Sequence, residues 1–401
     1  MTAAKPEAAD PRFRRILALD DFEPAARRKL PRPLFGYIQG GAETGVSTAA
    51  NRTQFDAFAF VTRSLRNVST ISLQTPLFGA VYDAPFGMAP MGCTALNAYR
   101  GDVQLTKAAK AANIPMMLSG AALVPMEEVV AANPDAWFQA YLNGQEDEIL
   151  TTLARVTAAG FKTLVVTVDV QVRGNREGEI RAGFTSPLRP SPRLAWDGLV
   201  RPDWLVNVFA KTLVRHGMPR FEHMSPKHRI PVISSSAVRE FSRQGQMTWD
   251  HIRLIRDTWR GALVIKGLLS AEDAVLAKEC GCDGIVVSNH GGRQLDGAIA
   301  ALFLLPEIVA ASKGMMVMVD GGFRRGSDII KALALGADFV FMGRPFGYAN
   351  AVGGEAGAAH AIDLLKKELR SDMAMLGCTA IGQIGPDCLR KADGAPVGAR
   401  A

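Results

Sequence analysis

From Ala84 onward the chain alternates apolar runs of strand length with longer helix-like stretches, and it does so eight times. The spacing predicts strands at 85–89, 114–118, 137–140, 163–168, 262–266, 284–288, 315–319 and 338–342. Helices are expected between them at 102–112, 145–159, 270–280, 301–312 and 326–335, with a further one from Glu355 to Leu369. Eight strand–helix units in series close most economically into an α/β fold, the (β/α)8 TIM barrel, whose working residues stand at the C-terminal strand ends. An open doubly wound sheet would need a G-x-G-x-x-G turn after an early strand, and none is present.

Two segments lie outside the repeat. Residues 13–60 read as an N-terminal helical extension: Phe22–Leu30 is amphipathic, Pro31 ends it, and Tyr37–Glu43 is a glycine-rich break carrying one tyrosine. After the fourth strand a long insertion, about 174–248, is rich in Pro, Arg and Trp, and barrels tolerate such insertions in their βα loops. One domain over 13–390 is expected, with flexible tails at 1–12 and 391–401.

Charge narrows the class. The net charge is +7, and residues 189–243 hold ten Lys/Arg against four Asp/Glu, a surplus of six in one segment. General nucleic-acid binding would spread basic residues over the folded body, so one local basic surface is expected instead. The amino terminus has no apolar stretch behind a basic start, and no uncharged run reaches membrane-span length. The five cysteines are scattered without a C-x-x-C pair, which predicts no metal site and a cytoplasmic location.

The strand ends carry polar residues in a coherent order. They are Ala89, Pro90, Met91 and Gly92 after strand one, Ser119 after strand two, and Gln139 and Tyr141 at strand three. Thr167, Asp169 and Arg176 follow strand four, and Lys266 ends strand five. Strand six delivers Ser288, His290 and Arg293, strand seven Asp320, Gly321, Gly322 and Arg324, and strand eight Gly343 and Arg344. An imidazole near an arginine suits proton abstraction beside a carboxylate. The last two glycine–arginine sets resemble a phosphate site at helix N-termini.

The motifs Ser288–Asp296, Asp320–Ala337, Thr167–Asp169 and Tyr37 with Gly41–Glu43 resemble those of the FMN-dependent L-2-hydroxy-acid oxidising family, over about Leu19 to Leu389. That group includes glycolate oxidase, L-lactate dehydrogenase and (S)-mandelate dehydrogenase, and Gly92 with the motifs His216–Pro219 and Lys266–Asp273 leans toward the last. The resemblance implies an FMN cofactor, His290 as base oriented by Asp169, and Tyr37, Arg176 and Arg293 on the substrate carboxylate. It places Tyr141 at the substrate hydroxyl and Lys266 at the flavin N1/C2 edge. Ser119, Gln139, Thr167 and Ser288 would meet the isoalloxazine, and Asp320, Gly322, Arg324, Gly343 and Arg344 the ribityl chain and phosphate.

Two positions depart from glycolate oxidase. Ser119-Gly120-Ala121 lacks the bulky tryptophan found there two residues after the serine, and Gly92 stands where oxidases usually carry alanine. A wider pocket and a dehydrogenase that passes electrons to a quinone are therefore expected, with oxygen as the alternative acceptor. A homotetramer is expected as well. The Trp196–Arg215 stretch mixes basic and apolar residues as a membrane-surface segment does, so contact with the cytoplasmic face of the inner membrane through 189–243 is expected; a lid or an oligomer contact is the competing reading. An FMN-barrel isomerase of prenyl diphosphates and a non-enzymatic phosphate binder are the rival functions. The isomerase has no use for His290 and Arg293 beside Arg176.

Overall fold

A computed structural model describes residues 10–224, 229–237 and 244–398. Parts of the expected insertion (225–228 and 238–243) and of the expected tails (1–9 and 399–401) lie outside the described residues.

The eight predicted strands all form. They are β1 (Phe86–Met88), β2 (Met117–Ser119), β3 (Trp137–Ala140), β4 (Thr163–Thr167), β5 (Ala262–Leu268), β6 (Gly284–Val287), β7 (Met316–Asp320) and β8 (Phe339–Met342). Each pairs in parallel with its neighbour, in the order β1-β8-β7-β6-β5-β4-β3-β2. The parallel bridge Met88–Met116 closes the ring. The chain is a (β/α)8 barrel.

Alternation along the strands divides the core in two. Val165, Val264, Val286, Met318, Phe339 and Phe341 point into the barrel, while Leu164, Ile265, Ile285 and Val340 face the helices. The hairpin Thr75–Leu77 and Ala80–Tyr82 belongs to the inner cluster through Leu77 and Tyr82, with Phe78 against it, and Tyr82 meets Phe339 edge-on with ring centroids 5.9 Å apart. β6 opens on Gly284 because a Cβ there would stand 2.8 Å from the Phe78 ring. One end of the barrel interior is thus filled by aromatic packing. The C-terminal strand ends carry the polar residues.

The preface differs from the sequence reading at Pro31. Helix Phe22–Lys29 stops at Leu30, but Pro31 caps a second helix, Arg32–Gln39, which carries Tyr37. Proline at or near a helix start loses no internal hydrogen bond, so the residue that ends one helix begins the next. Gly36 lets this helix lie against helix Glu177–Ala182, since a Cβ at Gly36 would stand 2.3 Å from that of Ala182. Helices Met126–Ala132 and Trp249–Thr258 complete the repeat at positions the periodicity did not mark. At the other end, Leu389–Lys391 pairs antiparallel with Phe58–Phe60.

Between β4 and helix Trp249–Thr258 the insertion holds helices Glu177–Ala182, Pro192–Leu199, Pro202–Trp204 and Lys211–His216, with a π-helical turn at Leu205–Ala210. Its apolar residues divide. Trp204 donates its indole N–H to the Leu96 carbonyl at 2.6 Å and stacks on Phe209, whereas Trp196, Leu199, Val206 and Val214 are exposed.

Candidate active site

A cavity of about 180 Å³ opens at the C-terminal end of the barrel, and strand ends β1, β3, β4, β5, β6, β7 and β8 reach its wall. His290 follows β6 in a left-handed conformation (φ 57°), with its backbone N–H donating to Ser288 Oγ at 3.0 Å. A non-glycine residue held there signals a local constraint imposed by its surroundings. That constraint aims the ring at Asp169, whose Oδ1 lies 2.8 Å from His290 Nδ1. The approach depends on Gly267 (φ 108°), where a Cβ would stand 2.5 Å from the Asp169 carboxyl carbon. Burial holds His290 below the ordinary histidine range, more strongly than Asp169 raises it. The carboxyl of Asp169 is lowered in turn: burial opposes its charge, but His290 and Lys266 outweigh burial. The resting pair is a neutral imidazole and a carboxylate.

Lys266 ends the regular part of β5 fully enclosed, its Nζ 2.9 Å from Asp320 Oδ2 and 2.9 Å from Ser288 Oγ. Burial disfavours the ammonium, yet Asp320 and Asp169 outweigh it and raise Lys266 above its usual value. A permanent cation therefore stands at the centre of the barrel mouth.

The third wall is built of arginines. Arg293 lies over the Tyr37 ring, 5.1 Å from its centroid, donates to the Gly40 carbonyl at 2.7 Å and meets Glu179 at 2.6 Å. Arg176 donates to Gln294 Oε1 at 2.7 Å and to the Arg293 carbonyl at 3.0 Å, and reaches Glu179 at 3.5 Å. Tyr37 stacks on Phe184 with centroids 4.4 Å apart. A Cβ at Gly92 would stand 2.7 Å from the Tyr37 hydroxyl and 3.0 Å from Ala121 Cβ. The space expected from a glycine at 92 is therefore taken by the tyrosine, and Ala121 alone leaves that side of the wall small.

Behind these groups lies a cradle suited to a flavin nucleotide. Gly321 and Gly322 have φ of 105° and 88°, and a Cβ on Gly322 would collide with the Asn51 carbonyl at 1.7 Å. Arg324 is buried and Arg344 half-buried, and desolvation together with Arg293 pushes Arg344 down to about 9. A bound anion reverses such a penalty. Gln139 Nε2, Thr167 Oγ1 and Asp320 Oδ1 are buried with no partner among the described residues, as groups that meet an isoalloxazine and its ribityl chain would be. The residues present fit FMN.

The match to this site covers nearly the whole chain. The family model for FMN-dependent dehydrogenase matches residues 26–391. The chain belongs to the FMN-dependent dehydrogenase family. FMN is its cofactor and dehydrogenation its class of reaction. Among relatives, the L-lactate dehydrogenase of Pseudomonas paraeruginosa is 38% identical over 385 residues, covering 95% of this chain and 100% of that protein. The L-lactate dehydrogenase of Stenotrophomonas maltophilia is 40% identical over 387 residues, covering 93% and 98%. The crystal structure of the monotopic membrane protein (S)-mandelate dehydrogenase superposes with a TM-score of 0.83 at 35% identity, covering 94% of this chain and 99% of that one. A mandelate oxidase structure with benzoyl-formic acid gives 0.75 at 32%, covering 93% and 98%.

Most of the residues expected from the sequence meet in this FMN-dependent dehydrogenase cavity. Tyr37, Ala89, Pro90, Met91, Gly92, Tyr141, Thr167, Arg176, Lys266, His290, Arg293, Asp320, Gly321, Gly322, Arg324, Gly343 and Arg344 line it. Ser119, Gln139, Asp169 and Ser288 are not on its wall; Asp169 and Ser288 act on it through His290 and Lys266, and Ser119 shares a 3.3 Å hydrogen bond with Gln139. Sequence reasoning missed Arg173, Glu179, Phe184 and Asn97, which also line the cavity. A signal existed for Glu179, which stands one helical turn after Arg176. Arg344 also donates to the carbonyls of Gly291 and Gly40 at 2.9 and 2.7 Å and so ties the His290 loop to the Tyr37 helix.

Proposed function

We propose that this FMN-dependent dehydrogenase oxidises an L-2-hydroxy acid to the 2-oxo acid and hands the electrons to a quinone. The observation that carries the reading is the His290–Asp169 pair at 2.8 Å on the same cavity as Arg176 and Arg293. His290 is neutral at rest and accepts a proton from the substrate. Asp169, bonded to Nδ1, fixes the ring and favours the imidazolium that forms. Arg176 and Arg293 hold the carboxylate, Tyr37 supports Arg293 from below, and Tyr141 faces the substrate hydroxyl. Ser119, Gln139, Thr167 and Ser288 hold the flavin ring, while Asp320, Gly321, Gly322, Arg324, Gly343 and Arg344 hold the ribityl phosphate, with Ala89, Pro90, Met91 and Gly92 along the ring face. FMN, when bound, supplies the two-electron acceptor. Lys266 stands ready to offset negative charge that develops beside it.

The (S)-mandelate dehydrogenase named above is monotopic, and the exposed Trp196, Leu199, Val206 and Val214 give this chain an apolar surface beside basic residues. No helix among the described residues is long and apolar enough to cross a membrane. The contact with the inner membrane that we propose through 189–243 is of the peripheral kind. A homotetramer belongs to the same reading and is checked by light scattering.

The test is the anaerobic visible spectrum of the purified holoenzyme during addition of lactate, glycolate and mandelate, followed by oxygen. Bleaching by a hydroxy acid and slow reoxidation in air are expected. Fast reoxidation by air marks a soluble oxidase, and no bleaching by any of them overturns the reading.

A further inference from the structure

A second cavity, of about 260 Å³, lies beside the active site. Leu34, Leu96, Leu194, Trp204, Phe209 and Val232 stand on its wall, and none of its lining side chains is charged. The two polar side chains on the wall are already engaged: Trp204 donates its indole N–H to the Leu96 carbonyl at 2.6 Å, and the Ser191 hydroxyl accepts from the Leu194 N–H at 3.1 Å. An apolar cavity of this kind stays dry and takes apolar ligands. Helix Pro192–Leu199 gives Leu194, Ala195 and Gly198 to the wall, while Trp196 and Leu199 of the same helix are exposed. Pro190, Ser191 and Ala195 are wall residues that are themselves exposed, so the cavity opens at the surface, where the exposed Arg189 and Arg193 flank them in the chain.

Three segments divide this cavity from the active site. Helix Arg32–Gln39 presents Leu34 to the one and, a turn later, Ile38 to the other. Leu96 and Asn97 are consecutive and stand on opposite sides, and Ser186 and Leu188 do the same. Asn97, on the active-site side of that partition, is 5% exposed, and its side-chain amide makes no hydrogen bond among the described residues. A buried amide without a partner is costly unless a ligand completes it.

We infer that the apolar cavity takes the hydrocarbon tail of the quinone, and that Asn97 donates its amide N–H to a carbonyl of the quinone ring. The ring carries carbonyl acceptors and an apolar tail, which are the complements of a free amide donor and a dry slot. Oxygen, the other acceptor weighed, has no use for either feature. The two electrons and two protons that leave the hydroxy acid as it becomes the oxo acid are those that turn the quinone into the quinol, so nothing else is consumed. The surface opening beside Trp196 and Leu199 lets the tail enter from the same face as the proposed membrane contact.

The inference rests on the quinone reading, and its experiment separates the two. The holoenzyme is reduced anaerobically with the hydroxy acid that bleaches it, then mixed in a stopped-flow instrument with a benzoquinone bearing a decyl tail or with the same ring without one. The tailed quinone is expected to lead in the second-order reoxidation constant by about tenfold or more, a ratio that burial of a few methylenes supplies. Gly198→Leu fills the slot, since a Cβ there would stand 3.7 Å from the Trp204 ring and 3.9 Å from Leu205. It should lower the constant for the tailed quinone at least about tenfold and leave the tail-less ring and bleaching by the hydroxy acid unchanged, and Ala195→Trp repeats the test from another position on the same helix. Asn97→Leu should lower both quinones alike, by about tenfold, the scale of one hydrogen bond. Binding is read without turnover from saturable quenching of tryptophan fluorescence by the tailed quinone in the oxidised holoenzyme, with Trp204→Phe as the control, and Gly198→Leu weakens it about tenfold. Equal constants for the two quinones, or equal losses for both in Gly198→Leu and Ala195→Trp, overturn the inference and leave the quinone reading standing, and unchanged constants in Asn97→Leu overturn the role of the amide. Failure of both quinones to reoxidise a flavin that the hydroxy acid has bleached overturns the quinone reading as well.

Discussion

His290 Nδ1 and Asp169 Oδ1 lie 2.8 Å apart, joined across two strand ends that are 121 residues apart in the chain. His290→Asn is expected to keep FMN and lose flavin reduction by at least about a thousandfold, the scale for removal of a positioned base. Near-normal reduction in that variant, followed by stopped-flow absorbance, would remove the assignment. The pH profile gives a second check. Burial lowers His290, so the free base persists below the ordinary histidine value, and kcat/KM should fall only as pH drops below about 6.5.

Arg293 grips the Tyr37 helix, Glu179 and the substrate wall together. Arg293→Lys and Arg176→Lys are expected to weaken both substrate affinity and turnover, because an ammonium cannot reproduce the planar two-point grip. Kinetics with a 2-hydroxy acid and its amide settle the point: equal oxidation of the two by the unaltered enzyme would mean that no carboxylate clamp exists.

Ala121 leaves open the side of the wall that a large side chain would fill. Ala121→Trp should penalise a bulky 2-hydroxy acid more than glycolate, since overpacking acts through volume. Gly92→Ala acts differently. Its methyl would meet the Tyr37 hydroxyl at 2.7 Å, so it should raise KM for all substrates through Tyr37. Steady-state constants for glycolate and mandelate in both variants distinguish the two effects, and an equal loss for both substrates in Ala121→Trp contradicts the first.

The exposed apolar residues of the insertion predict binding to anionic vesicles at low salt that weakens at high salt. Co-sedimentation of the intact protein, compared with a version whose 189–243 segment is replaced by a short linker, measures it. If the intact protein stays in the supernatant at low salt, the membrane reading gives way to a lid or an oligomer contact.

His223 is buried against Val124 and Phe138, its Nε2–H donating to the Val124 carbonyl at 2.8 Å, and burial pushes it down to about 4. The unfolded chain then binds more protons than the folded one between about pH 6.5 and 4, so this histidine contributes a loss of stability as pH falls through that window. The loss is on the order of 3 kcal/mol at its acid end. Thermal melts at pH 7 and pH 4.5 check it. The His223→Leu variant should lose less stability between the two than the unaltered protein, and an identical loss would show that His223 is not the group responsible.

Local sequence determined the barrel and the polar ends of its strands. Apolar runs of four to seven residues such as Gly284–Val287 and Ala262–Leu268 are written in consecutive residues, and eight of them leave little freedom in how to close. Because a barrel places the residue after every strand on one rim, His290, Lys266, Asp320 and Arg344 could be brought together before any coordinate was known. Tertiary structure alone decided the contacts between distant segments. Pro31 reads locally as a stop, yet it caps the helix that carries Tyr37 into the cavity, because the neighbouring helix at Gly36 and Ala182 supplies the packing that favours it. The same holds for Glu179. Whether a carboxylate in an insertion is solvated or buried among three arginines depends on which loops fold over it, and no periodicity in the chain encodes that. Gly92 reads as open space, but the fold fills it with a hydroxyl from 55 residues away, since volume in a packed interior belongs to whichever neighbour reaches it.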